Sequence, residues 1–211
     1  PNIITKVSFN SVPSFVLAAT QSITIDGIGK VDFDIAFGGA FYAYVQASSL
    51  GLTLAPEHQG KLIEYGRKIK NAIMSIMTIE HPFESDLSFL YGVIFIEENA
   101  VNDTAEHNVH SRNVCIFADG ELDRSPTGSG VSGRIALHVA NGEVPLQQSI
   151  TIESILGSQF KVKAIEKLTY GTSQNSHNAV IAQVTGEAFI CGKAQWLINQ
   201  DDPLKHGFLL R

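Results

Sequence analysis

The feature that most constrains this chain is a glycine-rich run, DRSPTGSGVSGRIALH, at residues 123–138. The run has the form G-x-G-x-x-G and contains or precedes apolar residues spaced four apart, at Val131, Ile135 and Val139. This spacing predicts a helix over residues 129–141. The small residues keep the helix slim enough to be buried, so other segments of the chain are needed to cover it.

The glycine pattern does not fit a nucleotide-binding site. In a dinucleotide-binding fold the first glycine stands at the tip of a strand, directly before the helix. Here the strand-like segment NVCIFA ends near Ala118, and the nine residues DGELDRSPT separate it from Gly128. A P-loop is excluded because no Gly-Lys-Ser or Gly-Lys-Thr sequence follows. No nucleotide cofactor is therefore expected.

The start of the predicted helix is better suited to a small anion. The first amides of a helix have no internal hydrogen-bond partners, and the helix dipole favours negative charge there. Asp123, four residues before Thr127, adds a carboxylate beside this anion pocket. An amino acid zwitterion would satisfy both charges. In the alternative, structural interpretation, Asp123 pairs with Arg124 or Arg134 beside a capped helix, and the spacing favours neither.

The segments around this run predict an α+β fold with mixed sheets. Strand-like segments rich in β-branched and aromatic residues occur on both sides of it, without regular βαβ alternation. One amphipathic packing helix is predicted from Pro56 to Met77. A hairpin is predicted around Asp26 and Gly27, where the polar and apolar residues alternate on both sides of the turn.

Proline and paired glycines interrupt the strand-like segments. Pro13 predicts either two strands or one edge strand at the start of the chain, because proline cannot donate to a sheet. Gly38 and Gly39 indicate either a turn or a close approach of the backbone to a ligand, and the sequence leaves both open. Residues 150–169 and 178–198 are predicted to be rich in strands.

The composition argues against several kinds of partner. The net charge is −6 and no run of Lys or Arg occurs, so a nucleic-acid surface is not expected. No apolar stretch approaches ~18 residues, so no membrane span is expected, and no signal peptide is apparent. Cys115 and Cys191 are interpreted as buried strand thiols, not as a disulfide or a nucleophile. This usage predicts a reducing, cytoplasmic location.

One pair of histidines has a spacing that metal sites use. His107 and His110 lie three residues apart in the polar loop ENAVNDTAEHNVHSR. No cysteine or second histidine pair accompanies them, so no metal site is expected. The other histidines are scattered and are interpreted as ordinary surface or core residues.

Beyond these patterns, the run itself resembles a catalytic signature of the proline racemase family. RNVCIFADGELDRSPTGSGVSGRIAL is similar to the family's Asp-Arg-Ser-Pro-Cys-Gly-(Ser/Thr)-Gly motif. DIAFGGAFYAYV resembles its Gly-Gly-Phe-Tyr segment, and DDPLKHGFLLR its C-terminal ending. The resemblance covers essentially all 211 residues. It implies the fold of diaminopimelate epimerase, in which mixed β-sheets wrap around a central helix.

The sequence departs from the family pattern in two ways. Position 127 is Thr where racemases and 4-hydroxyproline 2-epimerases carry Cys, and a Thr there is typical of the branch that resembles trans-3-hydroxy-L-proline dehydratases. The family's other signature, Met-Cys-Gly-His, belongs to an N-terminal domain and is absent here. The resemblance thus implies that residues 1–211 are the C-terminal catalytic domain of a two-domain hydro-lyase. This domain alone is expected to be inactive, and its last ~20 residues are candidates for packing on the N-terminal domain.

The substitution at position 127 also implies a particular chemistry. A thiol, with a reference pKa of about 8.5, serves as acid or base, whereas a threonine hydroxyl is too weak an acid to cycle as a base. The resemblance then implies that one base remains, and that the reaction is dehydration of trans-3-hydroxy-L-proline to Δ1-pyrroline-2-carboxylate without a cofactor. The alternatives are a proline racemase or 4-hydroxyproline 2-epimerase, and a non-catalytic amino-acid-binding domain.

The resemblance implies roles for five residues. The Gly128 and Ser129 amides would hold the substrate carboxylate, and Asp123 would bind the ring ammonium. Thr127 would hydrogen-bond near the reacting carbon or the leaving hydroxyl. Phe117 would form an apolar wall against the ring, or would simply be a core aromatic of a strand. The expected partners are a small imino acid and the protein's own N-terminal domain, with a homodimer left open.

Overall fold

The computed structural model describes residues 6–98 and 109–208. Within these ranges the chain forms nine strands and two α-helices. In chain order they are β1 (Val7–Ile25), β2 (Gly29–Phe37), β3 (Phe41–Gln46), α1 (Gln59–Ile76), β4 (Leu90–Glu98), β5 (Ser111–Phe117), β6 (Glu121–Leu122), α2 (Gly128–Ala140), β7 (Ile150–Glu153), β8 (Gln159–Gly171) and β9 (Ser176–Gly186). Short 3-10 helices occur at Ala47–Leu50, Pro56–His58 and Ser85–Leu87.

The strands form one mixed sheet that closes on itself. Its order is β4-β3-β2-β1-β9-β8-β7-β5-β6, and β4 also pairs with β5. Eight strands therefore make a ring, and the two-residue β6 is attached to β5 as a hairpin arm. The β3–β4 and β5–β7 pairs are parallel, whereas the neighbouring pairs such as β1–β2 are antiparallel. Closure gives most strands a partner on both sides.

Helix α2 fills the middle of this ring. Its residues from Gly130 to His138 are buried, and it contacts β1, β2, β3, β8 and β9. Side chains alternate between the two faces of each strand. On β3, Tyr42 and Tyr44 face α2, whereas Phe41 joins the outer core. The predicted α+β class, with a mixed sheet wrapped around a central helix, is confirmed.

Helix α1 covers the outer face of the sheet, where it packs mainly on β4 and β5. Its buried residues recur every three or four positions, at Leu62, Gly66, Ile69 and Ile73. Gly66 is needed because a methyl group there would come within 2.6 Å of Ile116 Cβ. The amphipathic helix predicted from Pro56 to Met77 is confirmed, with its first turn in the 3-10 form.

The first strand differs from the prediction. β1 is a single 19-residue strand that lies between β2 and β9, so it is neither two strands nor an edge strand. Pro13 is accommodated because the pairing with β9 shifts register between Asn10 and Pro13. Such a bulge locally disrupts the ladder, which is where a residue without an N–H is tolerated. The hairpin predicted around Asp26 and Gly27 is confirmed.

The segment after β9 also differs from the prediction. Residues 187–208 contain no strand or helix. β9 ends at Gly186, which pairs with Val7, the first residue of β1. The residues after Gly186 therefore have no residue of β1 opposite them with which to form backbone hydrogen bonds. Cys191 is exposed in this segment, so its interpretation as a buried strand thiol is wrong, whereas Cys115 is buried in β5 as expected. In the described parts of the chain, neither α-helix has the length and apolar character that a bilayer crossing demands.

Candidate active site

The candidate active site lies where the chain passes from β6 into α2. The hairpin of β5 and β6 brings Asp123 back beside β5, where its N–H donates to the Cys115 carbonyl at 3.0 Å. Residues 123–127 form an irregular connection that ends at Thr127, which is 6% exposed. Thr127 therefore stands at the start of the buried central helix, with the Asp123 carboxylate close by.

Asp123 and Thr127 are joined by a direct hydrogen bond. The Thr127 hydroxyl donates to Asp123 Oδ2 at 2.9 Å, and the Ser125 N–H donates to the other carboxylate oxygen at 2.8 Å. Among the ion pairs of the described residues, none joins Asp123 to Arg124 or Arg134. The structural interpretation of Asp123 therefore lacks the contact on which it depends.

Thr127 has an unusual backbone conformation. Its φ is 68° and its ψ 104°, a combination that costs a β-branched residue about 1–3 kcal/mol. In this conformation the side chain does not cap the helix. The first helical bond runs from the Val131 N–H to the Thr127 carbonyl at 2.8 Å. The N–H groups of residues 128–130 come before it, so they have no acceptor within the helix.

Glycine is needed where β2 turns into β3. Gly38 lies against the backbone of Ser129 and Gly133, and any side chain at position 38 would overlap these atoms. Gly39 adopts a φ of 117°, which favours glycine, and completes the turn. The two glycines thus make a turn, and the backbone that approaches closely is that of α2.

Two tyrosines of β3 hold the first turn of α2. The Tyr42 hydroxyl lies 2.8 Å from Ser129 Oγ, and the Tyr44 hydroxyl donates to the Gly130 carbonyl at 2.8 Å. Gly133 leaves room for the Tyr44 hydroxyl. Burial raises the pKa of both phenols, so both remain protonated. These contacts fix the position of residues 129 and 130 relative to the sheet.

Aromatic rings lie near the helix start. The Tyr91 ring lies edge-on to Tyr42 at 5.9 Å and tilted against Phe117 at 5.6 Å. Phe9 lies against Gly128, with its Cζ 3.4 Å from the point where a Cβ on Gly128 would stand. Phe9 is 49% exposed and Phe117 is half-buried, so both have surface free to face a small molecule.

Cys115 lies behind Thr127 in the core. Burial raises the pKa of the Cys115 thiol to about 12, and the Asp123 carboxylate acts in the same direction. The thiol therefore stays protonated near neutral pH and is not a nucleophile. This agrees with the interpretation of Cys115 as a buried strand thiol.

The sequence did not identify four neighbours of the site, namely Phe9, Tyr42, Tyr91 and Cys115. Alternation along β3 would have placed Tyr42 on one face with Tyr44, but only the register of the closed sheet shows that this face meets α2. The five predicted residues lie in one region of the fold. The structure brings Thr127, Gly128 and Ser129 together with Asp123, and it connects Phe117 to them through Tyr91 and Tyr42.

A second polar cluster lies at the other end of α2. Arg134 is 2% exposed, and it donates to Asn113 Oδ1 at 2.6 Å and to His138 Nε2 at 3.3 Å. Burial lowers the pKa of Arg134 to about 10, and the side chain still carries its charge at neutral pH. In the described part of the chain, no three His, Cys, Asp or Glu side chains are grouped to hold a metal. His107 lies outside that part.

The protein is of the α+β class, with a closed mixed sheet around one buried helix and polar groups at the start of that helix. The model of the family described as proline racemase matches residues 2–209, and the chain belongs to this family. A solved hydroxyproline epimerase from Agrobacterium vitis, with bound trans-4-OH-L-proline, has a TM-score of 0.82 and 34% sequence identity to it. The match covers 98% of this chain and 56% of that structure.

Two curated relatives carry the name trans-3-hydroxy-L-proline dehydratase. The protein of Colwellia psychrerythraea is 63% identical over 210 residues, which are 100% of this chain and 57% of the relative. The human protein is 41% identical over 206 residues, which are 97% of this chain and 56% of the relative. The chain therefore spans a little more than half the length of these relatives.

Proposed function

We propose that the complete protein dehydrates trans-3-hydroxy-L-proline to Δ1-pyrroline-2-carboxylate. The observation that carries the proposal is the position of Thr127. An alcohol, held by Asp123 at 2.9 Å, stands at the helix start where a two-base racemase needs a second thiol. The similarity to proteins named trans-3-hydroxy-L-proline dehydratase supports the same function.

The site offers complementary charges to a zwitterionic imino acid. The N–H groups of Gly128 and Ser129 would hold the carboxylate, because the start of α2 favours negative charge and leaves these donors without internal acceptors. The Asp123 carboxylate, five residues before Gly128, would bind the ring ammonium. Phe117 and Phe9 would contact the carbon atoms of the ring from two sides.

The proposed reaction removes the elements of water. A base supplied by the part of the protein outside this chain takes the α-proton, and the carbon–hydrogen electron pair becomes the new carbon–carbon double bond. The 3-hydroxyl leaves as its carbon–oxygen bond breaks and gains a proton to become water. The resulting enamine moves one proton from nitrogen to carbon and becomes the cyclic imine. The Gly128 and Ser129 amides would stabilise the charge that develops beside the carboxylate, so no cofactor is required.

Thr127 sets this reaction apart from racemisation. A racemase needs a base on one face of the α-carbon and an acid on the other, and each must accept and return a proton. To act as that base, the Thr127 hydroxyl would first have to lose its proton. A threonine hydroxyl is too weak an acid to do so near neutral pH. Without substrate the Thr127 proton is donated to Asp123. When the ring ammonium occupies the Asp123 carboxylate, the Thr127 hydroxyl would instead donate to the leaving hydroxyl or near the reacting carbon, and this hydrogen bond would assist departure of water.

We also propose that residues 187–208 pack on the remainder of the complete protein. This segment exposes large apolar side chains, and Phe189, Ile190, Trp196 and Leu197 are each more than four-fifths exposed. A segment that exposes several large apolar side chains is typical of an interaction site. The curated relatives extend well beyond the matched region, which provides a partner surface within the same chain. Residues 1–211 alone would then hold one half of the active site and be inactive.

The test is to incubate the complete protein with trans-3-hydroxy-L-proline in deuterated water and to follow the α-proton and the ring by NMR. Formation of Δ1-pyrroline-2-carboxylate supports the proposal. Exchange of the α-proton without loss of water would instead identify an epimerase. Binding of the imino acid with neither reaction would identify an amino-acid-binding protein.

A further inference from the structure

The Tyr42 hydroxyl makes one hydrogen bond among the described residues, and its partner is the side chain of Ser129 at 2.8 Å. Tyr42 is 2% exposed, whereas Ser129 is half-buried at the start of α2. The bond joins β3 to the first turn of the helix over 87 residues of sequence. A buried phenol therefore touches a side chain that also faces the proposed substrate site.

The direction of this hydrogen bond follows from burial. Either hydroxyl can donate to the other on geometry alone. If Ser129 donated, the buried Tyr42 proton would have no acceptor in the described part of the chain, and a buried unpaired donor is costly. If Tyr42 donates, its proton is satisfied and the Ser129 proton is free. The second arrangement is the favourable one, so Ser129 Oγ accepts from Tyr42.

The Tyr42 side chain has little freedom to move. Its backbone pairs with Ala36 on one side and Gly92 on the other, and the Tyr91 ring lies edge-on to it at 5.9 Å. Because the hydroxyl is held at a fixed point, it also restricts the rotamer of Ser129. A side chain held in one rotamer loses less entropy when it binds a ligand.

We infer that Tyr42 is a positioning residue that makes the Ser129 hydroxyl a donor to the carboxylate of the imino acid. The inference rests on the proposed function for the identity of the ligand. Ser129 would then bind the carboxylate through its side chain as well as its backbone N–H. Tyr44 has a different role, because its hydroxyl reaches the Gly130 carbonyl and no side chain of the site.

The first experiment measures binding of pyrrole-2-carboxylate, a planar mimic of the deprotonated substrate, to the complete protein by titration calorimetry. Ser129→Ala is expected to raise Kd about tenfold, as for loss of a hydrogen bond to a charged group. Ser129→Thr keeps a hydroxyl and is expected to stay within about threefold of wild type, within the usual spread of such effects. If Ser129→Ala binds pyrrole-2-carboxylate as tightly as the wild type does, the Ser129 side chain does not hold the carboxylate and the inference is wrong. This outcome does not depend on whether variants of Tyr42 fold.

The second experiment tests whether Tyr42 acts through Ser129. Tyr42→Phe is expected to raise Kd and KM severalfold, with kcat nearly unchanged, and to add nothing in the Ser129→Ala background. Tyr44→Phe is the matched control, because it removes a buried hydroxyl of the same strand that also bonds to α2. Its effect is expected to be equal in both backgrounds, and thermal unfolding checks that every variant is folded.

The outcomes separate this inference from the proposed function. Equal effects of Tyr42→Phe with and without Ser129→Ala would overturn the positioning role while leaving the dehydratase intact. Tight binding of pyrrole-2-carboxylate with the expected non-additivity, but no dehydration by the wild type, would overturn the proposed reaction and leave the positioning role standing. No binding of pyrrole-2-carboxylate to the wild type would overturn the inference together with the proposed ligand.

Discussion

The Thr127 hydroxyl donates its proton to Asp123 rather than capping the helix that Thr127 begins. In most helices a threonine at this position would satisfy one of the first amides with its side-chain oxygen. Here a φ of 68° turns the side chain towards Asp123 and leaves the amides of residues 128–130 open. The helix has no side-chain cap, so its first backbone N–H groups lie beside the Thr127 hydroxyl and the Asp123 carboxylate without a capping partner.

Removal of the Thr127 hydroxyl should strongly slow dehydration without unfolding the protein. Thr127→Val keeps the shape of the side chain but cannot donate to Asp123 or to the leaving group. We expect kcat to fall at least about a hundredfold, the usual size of a lost proton-transfer or hydrogen-bonding group. Thr127→Ser is the matched control and should retain part of the activity. A Thr127→Val enzyme as active as the Thr127→Ser enzyme would remove the hydroxyl from the mechanism.

Asp123 should be required for binding of the ring ammonium. Asp123→Asn keeps one oxygen, which can accept from Ser125, but its NH2 group cannot accept from Thr127 and the negative charge is lost. We expect KM for trans-3-hydroxy-L-proline to rise by about tenfold or more, because a charge-assisted bond becomes a neutral one. Glu121→Gln, a loss of charge in the adjacent hairpin strand, serves as the control and should leave KM unchanged. Steady-state kinetics of the complete enzyme measures this effect. If the KM of Asp123→Asn equals that of the wild type, the ring ammonium binds elsewhere.

The sequence predicts the parts of this fold that depend on local patterns. The spacing of Val131, Ile135 and Val139 is enough to predict α2, which differs from the prediction by one residue at each end. Ring closure is not predictable in this way, because the β1–β9 pairing joins residues far apart in the chain, such as Val7 and Gly186. For the same reason Pro13 predicts two strands or an edge strand, although a bulge in the pairing of β1 with β9 accommodates it.

The same limit applies to the site. Asp123 and Thr127 lie four residues apart, so the sequence could place them together. Tyr42 and Ser129 are 87 residues apart, and only the assembled sheet brings their hydroxyls to 2.8 Å. Cys191 shows that a local pattern can also mislead. The apolar residues around it predict a strand, but they have no partner strand in the part of the chain that the structure describes, and Cys191 is exposed.

Two glycines of α1 should respond in opposite directions to the same substitution. A methyl group on Gly60 meets no atom within 4 Å, so Gly60→Ala should raise the free energy of unfolding by about 0.5 kcal/mol by restricting the unfolded chain. A methyl group on Gly66 would press on Ile116 at 2.6 Å, so Gly66→Ala should lower it by about 1–3 kcal/mol. Urea unfolding measures both, and an equal effect at the two positions would contradict this packing.

Acid should destabilise the protein partly through His81. Its ring is 8% exposed, and its Nδ1 accepts the N–H of Glu84 at 2.9 Å. Burial lowers the pKa of His81 below its ordinary value of 6.5, while the Glu84 carboxylate opposes this effect. The unfolded chain therefore takes up a proton more readily than the folded one, so the stabilising contribution is complete above about pH 6.5 and is lost as the pH falls.

We expect the free energy of unfolding to drop between about pH 7 and about pH 5, and to drop less in His81→Asn, whose amide oxygen can accept the same N–H without titrating. Other histidines with lowered pKa, such as His138, contribute in both proteins and cancel in the comparison. His58→Asn is the control at an exposed position. Urea unfolding at the two pH values tests this, and identical pH dependence in wild type and His81→Asn would contradict it.

Trp196 should report whether residues 187–208 pack on the rest of the complete protein. It is the single tryptophan of this chain and is 87% exposed in it. If the segment packs as proposed, the indole enters an apolar environment, so its emission shifts to shorter wavelength and acrylamide quenches it less. The signal is isolated by subtracting the spectrum of the complete protein that carries Trp196→Phe, which retains an aromatic side chain in the segment. A difference spectrum quenched as strongly as free tryptophan would show that the segment stays in water, and that another surface joins the two halves of the site.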